Sequence, residues 1–154
     1  MRLYEESSKF PVLFGRRLKD MKDFIDFFFC QNLSDDIEPQ GLVWIVDDFR
    51  GMFYLNNIRD IEADVHYSFF DRRHKGRAPL VRAMMKDVFA QHGFVRLNAY
   101  VPAYAGMGVR KFIEDAGFRL EGRKRKNAWW KGEWFDTYLY GILREDLTDG
   151  SATS

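Results

Sequence analysis

Hydrophobic and polar residues change rhythm along this chain, and each change marks an element. From Ile61 to Phe69 the alternation is strict, with Ile61, Ala63, Val65, Tyr67 and Phe69 on one side, the two-residue period of a half-buried strand. Directly after it, Val81, Met84, Met85, Val88 and Phe89 fall at i, i+3, i+4, i+7 and i+8. That spacing predicts a helix over 76–92, closed by Gly93. Alternation returns in Val95–Val101, so strand, helix and strand make a right-handed crossover whose two strands run parallel.

The same reading extends in both directions. Leu18, Met21, Ile25, Phe28 and Phe29 predict a helix over 17–31, preceded by irregular chain or a short strand at Val12–Phe14 and followed by a loop over 33–40. Leu42–Val46 reads as a buried strand, and Asp47–Gly51 as a hairpin loop into Met52–Leu55, so these two strands and the one from Ile61 form an antiparallel meander. After Pro102, Val109, Phe112, Ile113 and Ala116 predict a second helix stopped by Gly117. Phe118–Trp130 and Phe135–Leu143 then form a closing hairpin turned at Lys131–Gly132. The result is a single α+β domain with a core over about 10–145, a polar tail over 146–154, and helices on both faces of a mixed sheet.

Composition narrows the function more than the fold. With 24 Lys and Arg against 23 Asp and Glu, a net charge of +1 argues against whole-surface attraction to nucleic acid or membrane, so any basic function is local. One cysteine, Cys30, excludes an intrachain disulfide, and no Cys/His spacing points to zinc, so no metal is expected. The first ten residues contain Glu5 and Glu6 and lack an apolar core, unlike a signal peptide. No run reaches the length of a membrane span, and a cytoplasmic protein is expected.

The local basic feature is Arg72-Arg73-His74-Lys75-Gly76-Arg77-Ala78-Pro79, between the alternating strand and its helix. Cations are unfavourable at a helix N-terminus, where backbone N–H groups and a positive dipole end already converge. A cluster of them there points to an anionic ligand, with phosphate the natural fit.

Three stretches carry a resemblance. Arg73-His74-Lys75-Gly76-Arg77-Ala78 matches the loop Arg/Gln-x-x-Gly-x-Gly/Ala, in the strand-to-helix setting that loop requires. Ala116-Gly117-Phe118-Arg119-Leu120-Glu121-Gly122 is similar to a Leu-Gly-Phe-x-x-Glu-Gly segment, and Gly132, Asp136 and Tyr140 continue its closing pattern. Together with the element order, these resemble the GNAT superfamily of N-acetyltransferases, in the branch that acetylates ribosomal-protein N-termini and related amines.

The resemblance implies acetyl-CoA as cosubstrate. The loop Arg73, His74, Lys75, Gly76, Arg77 and Ala78 would hold its diphosphate, and the backbone at Ser68 and Phe69 would pair with its pantetheine arm. It implies direct attack of a primary amine on the thioester, with no covalent enzyme intermediate. Glu62, eleven residues before Arg73, stands where some members carry a general base; Asp64 and His66 share its side of the strand, which is otherwise simply the solvated side. Where the family often has Asn-x-x-Ser this chain has Gly106 and Val109, and Ile113 replaces a frequent acid tyrosine, leaving Tyr104 as the candidate proton donor. The acceptor is a small-molecule or peptide amine, and the Phe-rich first helix and last hairpin are where a homodimer would form. The alternative is an inactive fold or a nucleic-acid-binding module using Arg123-Lys124-Arg125-Lys126-Asn127-Ala128-Trp129-Trp130, a stretch that also reads as an edge strand guarded by charge.

Overall fold

A computed structural model of the chain describes residues 42–46, 51–69 and 76–148. The expected first strand, the helix over 17–31 and the loop over 33–40 lie outside those residues, as do Arg73, His74 and Lys75. The strands are β1 (Leu42–Val46), β2 (Gly51–Arg59), β3 (Glu62–Phe69), β4 (Arg96–Pro102), β5 (Arg119–Trp130) and β6 (Glu133–Leu143). The helices are α1 (Arg77–Gln91), α2 (Met107–Asp115) and α3 (Arg144–Thr148). Cα positions divide the chain into two compact units: among the described residues the first holds β1, β2 as far as Ile58 and β3 from Val65, and the second holds Arg59–Asp64 and residues 76–148.

In the first unit β1 and β2 are antiparallel, Leu42 opposite Leu55 and Val46 opposite Gly51. β2 neighbours β3, and the two-residue link Asp60–Ile61 fixes them as antiparallel, since a parallel pair needs a crossover of a dozen residues or more. Met52, Phe53, Tyr54 and Leu55 are all at most 1% exposed, so β2 is buried on both faces. Phe53 lies between Trp44 and Tyr67, with ring centroids 5.2 and 5.3 Å away. β2 runs four residues past the Leu55 limit set by its apolar run, into the polar and exposed stretch ending at Arg59. Backbone pairing needs no apolar side chains there.

In the second unit the order is β3-β4-β6-β5. β3 and β4 are parallel, with Glu62, Ala63 and Asp64 opposite Arg96, Leu97 and Asn98, as the crossover requires. α1 buries Val81, Met85, Val88 and Phe89 and leaves Met84 half-buried. It ends on an extended His92, whose N–H donates to the Val88 carbonyl, so Gly93 is not the left-handed cap its position suggests. α2 does end on its glycine. Gly117, at φ 106°, donates to Glu114 and Phe118 donates to Ile113, a Schellman arrangement that gives Ala116-Gly117-Phe118 a structural role. Val109, expected on the inner face of α2, is 40% exposed.

The hairpin β5–β6 turns at Lys131 and Gly132, both at positive φ (47° and 88°), the conformation a two-residue hairpin loop favours. β5 is the edge strand and breaks register twice, between Leu120 and Gly122 and between Lys124 and Ala128. Arg123, Lys124, Arg125 and Lys126 are exposed along it. Bulges and cations both blunt an edge against pairing. The chain does not become a tail after Glu145: α3 buries Leu147, at 4% exposed, and Asp146 accepts a hydrogen bond from the Leu143 amide.

Candidate functional site

Three groups bear on chemistry, beginning with the turn into α1. Gly76 is the N-cap, in the left-handed region at φ 79°, ψ 19°, and among the described residues no side chain caps the helix there. No acidic residue stands in the first turn to answer the dipole. The Leu80 amide donates to the Gly76 carbonyl at 3.2 Å, the first intrahelical bond. A Cβ added at Gly76 would meet nothing within 4 Å, so glycine is required by backbone conformation rather than by neighbours. Arg77 and Ala78 are half-buried, and Pro79 occupies the third helical position, where it withdraws one amide from the first turn. In the first unit Ser68 is 4% exposed and Phe69 half-buried. A Cβ on Gly51 would lie 2.7 Å from the Ser68 carbonyl oxygen, so a glycine there lets β2 begin hard against the end of β3.

The second group is the polar side of β3 at its start. It is not the solvated side that alternation suggests: Glu62 is half-buried and Asp64 only 5% exposed. Asn98, opposite Asp64 on β4, donates from Nδ2 to Glu62 Oε2 at 3.0 Å and to Asp64 Oδ1 at 3.3 Å. Its Oδ1 accepts from Arg96 Nε at 2.8 Å. Arg59 Nε lies 3.1 Å from Glu62 Oε1, and Arg96 Nε lies 3.7 Å from Glu62 Oε2. Arg96 also grips Glu121 of β5, Nη2 to Oε2 at 2.5 Å. Tyr100, two residues past Asn98 on the same face of β4, is 36% exposed, and Lys124 Nζ stands 5.4 Å from its ring. Burial, then the Asp64 carboxylate, push the Tyr100 phenol up, so it keeps its proton. Sequence reading named Glu62 but missed Arg59, Arg96, Asn98 and Tyr100. The available signal was Asn98 itself, a polar residue between Leu97 and Ala99 in a strand otherwise apolar at its centre.

The third group is aromatic. Tyr104 lies in the 3₁₀ turn Ala103–Ala105 after β4, stacked on Trp130 at 5.2 Å and 21° and edge-on to Phe135 at 5.6 Å. Its ring is thus part of a packed cluster under the closing hairpin. Tyr140 is 1% exposed; its hydroxyl donates to Glu114 Oε1 at 3.0 Å and accepts from Arg110 Nε at 3.2 Å. Asp136 accepts from the Lys126 amide at 2.8 Å and pairs with Arg123 at 3.3 Å, which pins the second bulge of β5. His66, in the first unit, stacks on Tyr54 at 4.5 Å and 10° and bonds Asn56 through Nε2 at 2.9 Å, an ordinary packed histidine.

Among the described residues no three His, Cys, Asp or Glu side chains are grouped to hold a metal ion. No helix among them is long and apolar enough to cross a membrane.

No protein-family model matches the chain, and no curated protein sequence matches it. Solved structures do. A point mutant of the spermidine N-acetyltransferase SpeG from Vibrio cholerae superposes with a TM-score of 0.76 at 14% identity, over 98% of this chain and 91% of that one. An acetyltransferase of the GNAT family from Bacillus anthracis gives 0.67 at 17% identity, over 94% and 87%. Ribosomal-protein-S5-alanine acetyltransferase from Vibrio fischeri gives 0.61 at 21% identity, over 70% and 64%. Likeness at these identities is likeness of fold, and the chain has the GNAT acetyltransferase fold.

Proposed function

We propose that the protein is an acetyl-CoA-dependent N-acetyltransferase that transfers the acetyl group directly to a primary amine. The observation that carries this reading is the start of α1: a left-handed Gly76 at the N-cap and a first turn without an acidic residue, in a fold shared with acetyltransferases over almost the whole chain. Amides of the first turn and the basic side chains around Gly76 would hold the diphosphate of acetyl-CoA, with Ser68 and Phe69 lending backbone to the pantetheine arm. The amine nitrogen then bonds to the thioester carbonyl carbon as the carbon–sulfur bond breaks and its electron pair leaves on sulfur. Glu62 takes the amine's proton through a water, and a tyrosine hydroxyl returns a proton to the thiolate. Tyr104 is the sequence-based candidate for that donor. Tyr100, two residues past Asn98 on the same face of β4 and within the influence of the Asp64 and Glu62 carboxylates, is the second candidate.

The acceptor is a small-molecule or peptide amine, the reaction runs in the cytoplasm, and a homodimer would use the first helix expected over 17–31 or the closing hairpin, where Trp129 and Trp134 are each 57% exposed. A nucleic-acid-binding module is the competing reading, supported by those two rings beside the exposed Arg125 and Lys126.

Acetyl-CoA at about a hundred times its dissociation constant is expected to stabilise the protein by about 2.7 kcal/mol, measured by thermal unfolding. Free-thiol release with spermidine and with an alanine-initiated peptide as acceptors then reads turnover. A melting point indifferent to acetyl-CoA but raised by oligonucleotide in a salt-sensitive way favours the competing reading.

Gly76→Val forces a β-branched residue into the left-handed region, at a cost of about 1–2 kcal/mol, and acetyl-CoA affinity is expected to fall about tenfold, read by calorimetry. Gly108→Ala is the control. Gly108 lies within α2, with open space around its Cβ position and no positive φ, so alanine there is expected to leave affinity unchanged and to add about 0.5–1 kcal/mol of stability.

A further inference from the structure

The amide of Asn98 can sit in one orientation only. Both Nδ2 protons go to carboxylates, Glu62 and Asp64, and Oδ1 accepts from the Arg96 guanidinium. A flipped amide would turn oxygen toward two carboxylates and NH₂ toward a cation, so every contact would become repulsive. At 7% exposed, Asn98 has little water to fall back on.

Arg96 is fixed in turn from the far side of β6. Glu121 reaches it over Gly141, where a Cβ would come within 2.7 Å of Arg96 Nη2 and closer still to the Glu121 carboxylate. Gly141 lies between Asn98 on β4 and Arg119 on β5, so the line Glu121–Arg96–Asn98–Glu62 crosses from β5 over β6 and β4 to β3. Glu62 is held at its other oxygen by Arg59. A surface ion-pair network made only for stability would not need a buried neutral amide at its centre, because such pairs contribute little and a buried amide is costly unless fully bonded.

We propose that Asn98 is a positioning residue of the acetylation site, fixing the orientation of the Glu62 carboxylate, with Glu121 acting behind it through Arg96. The proposal deepens the reading above and rests on it, with Glu62 as the base.

The test is a double-mutant cycle in steady-state kinetics with acetyl-CoA and spermidine, run alongside acetyl-CoA binding by calorimetry. Asn98→Ala is expected to lower kcat about tenfold or more while KM and affinity for acetyl-CoA stay within about twofold, since misplacing a reacting group costs rate rather than cofactor binding. In the Glu62→Gln background the same change is expected to cost less than about twofold, because there is no longer a base to misplace. Glu121→Gln, on an exposed part of β5, serves where Asn98→Ala does not fold. It is expected to lower kcat about threefold, with the loss again vanishing beside Glu62→Gln.

Equal losses in both backgrounds, or an unchanged kcat in Asn98→Ala and Glu121→Gln alike, would overturn the positioning role while leaving acetyl transfer intact. Wild-type protein that neither binds acetyl-CoA nor releases thiol overturns the acetyltransferase reading and this role with it.

Discussion

Glu62→Gln is expected to lower kcat for amine acetylation by about 10²–10⁴-fold, the range a positioned general base contributes, with acetyl-CoA affinity unchanged. The amide keeps the size of the side chain and can still accept from Asn98, which donates to Oε2 at 3.0 Å in the native protein. It cannot take a proton. Stability separates the two roles open to Glu62. Its partner Arg59 is 56% exposed at the side chain, so loss of that pair should cost less than about 1 kcal/mol and leave the melting point nearly in place. Rate loss without stability loss marks a catalytic carboxylate. A kcat within about twofold of wild type would leave Glu62 as the anionic node of a structural network and remove it from the chemistry.

Where the sequence spoke clearly, the reason was periodicity backed by local backbone demand. Val81, Met85, Val88 and Phe89 could only make one face of a helix, and a strand on each side of that helix left the parallel pairing of β3 and β4 as the one right-handed solution. Gly117 and Gly132 were readable for a similar reason, since a helix stop and a two-residue hairpin turn each require positive φ at a predictable place. Gly93 has the same look in sequence, but the extended His92 closes α1 before it. Val109 and α3 show the opposite limit: whether an apolar side chain at the start of α2 is covered, or a short polar segment docks by one leucine, depends on neighbours distant in sequence.

The candidate site was legible one strand at a time. Alternation put Glu62 and Asp64 on the polar side of β3 and, by itself, made that side a solvated one. What closes it is register. Because Glu62 lies opposite Arg96 and Asp64 opposite Asn98, four polar side chains fall on one face of adjacent strands, where they answer each other's hydrogen bonds instead of water's. Register between β3 and β4 is set through the long crossover and has no local code in either strand. The reach of Glu121 is harder still to read, because it depends on a bulge between Leu120 and Gly122 and on the bare backbone of Gly141.

That dependence on β4 makes its buried side the place where stability and site geometry meet, and Leu97→Ala is expected to cost about 2–5 kcal/mol. Leu97 is 0% exposed and precedes Asn98; its sheet neighbours are Ala63 and Ile142, also at 0%. The alanine at 63 carries no side chain able to swing into the space vacated, so the cavity can be filled only by movement of larger neighbours, which places the cost in the upper half of that range. Thermal unfolding should show a fall in melting point of about 8–15 °C, given roughly 2–4 °C per kcal/mol for a protein of this size. Val95→Ala, one residue before β4 and 48% exposed, should stay within about 0.5 kcal/mol of wild type. At a temperature where the Leu97→Ala protein is fully folded, kcat should fall if the strand shifts Asn98 as it closes on the cavity, and should hold if the cavity stays open. A loss of stability below about 1 kcal/mol would mean that the centre of β4 is not the close-packed seam on which the arrangement of Glu62, Asp64 and Asn98 depends.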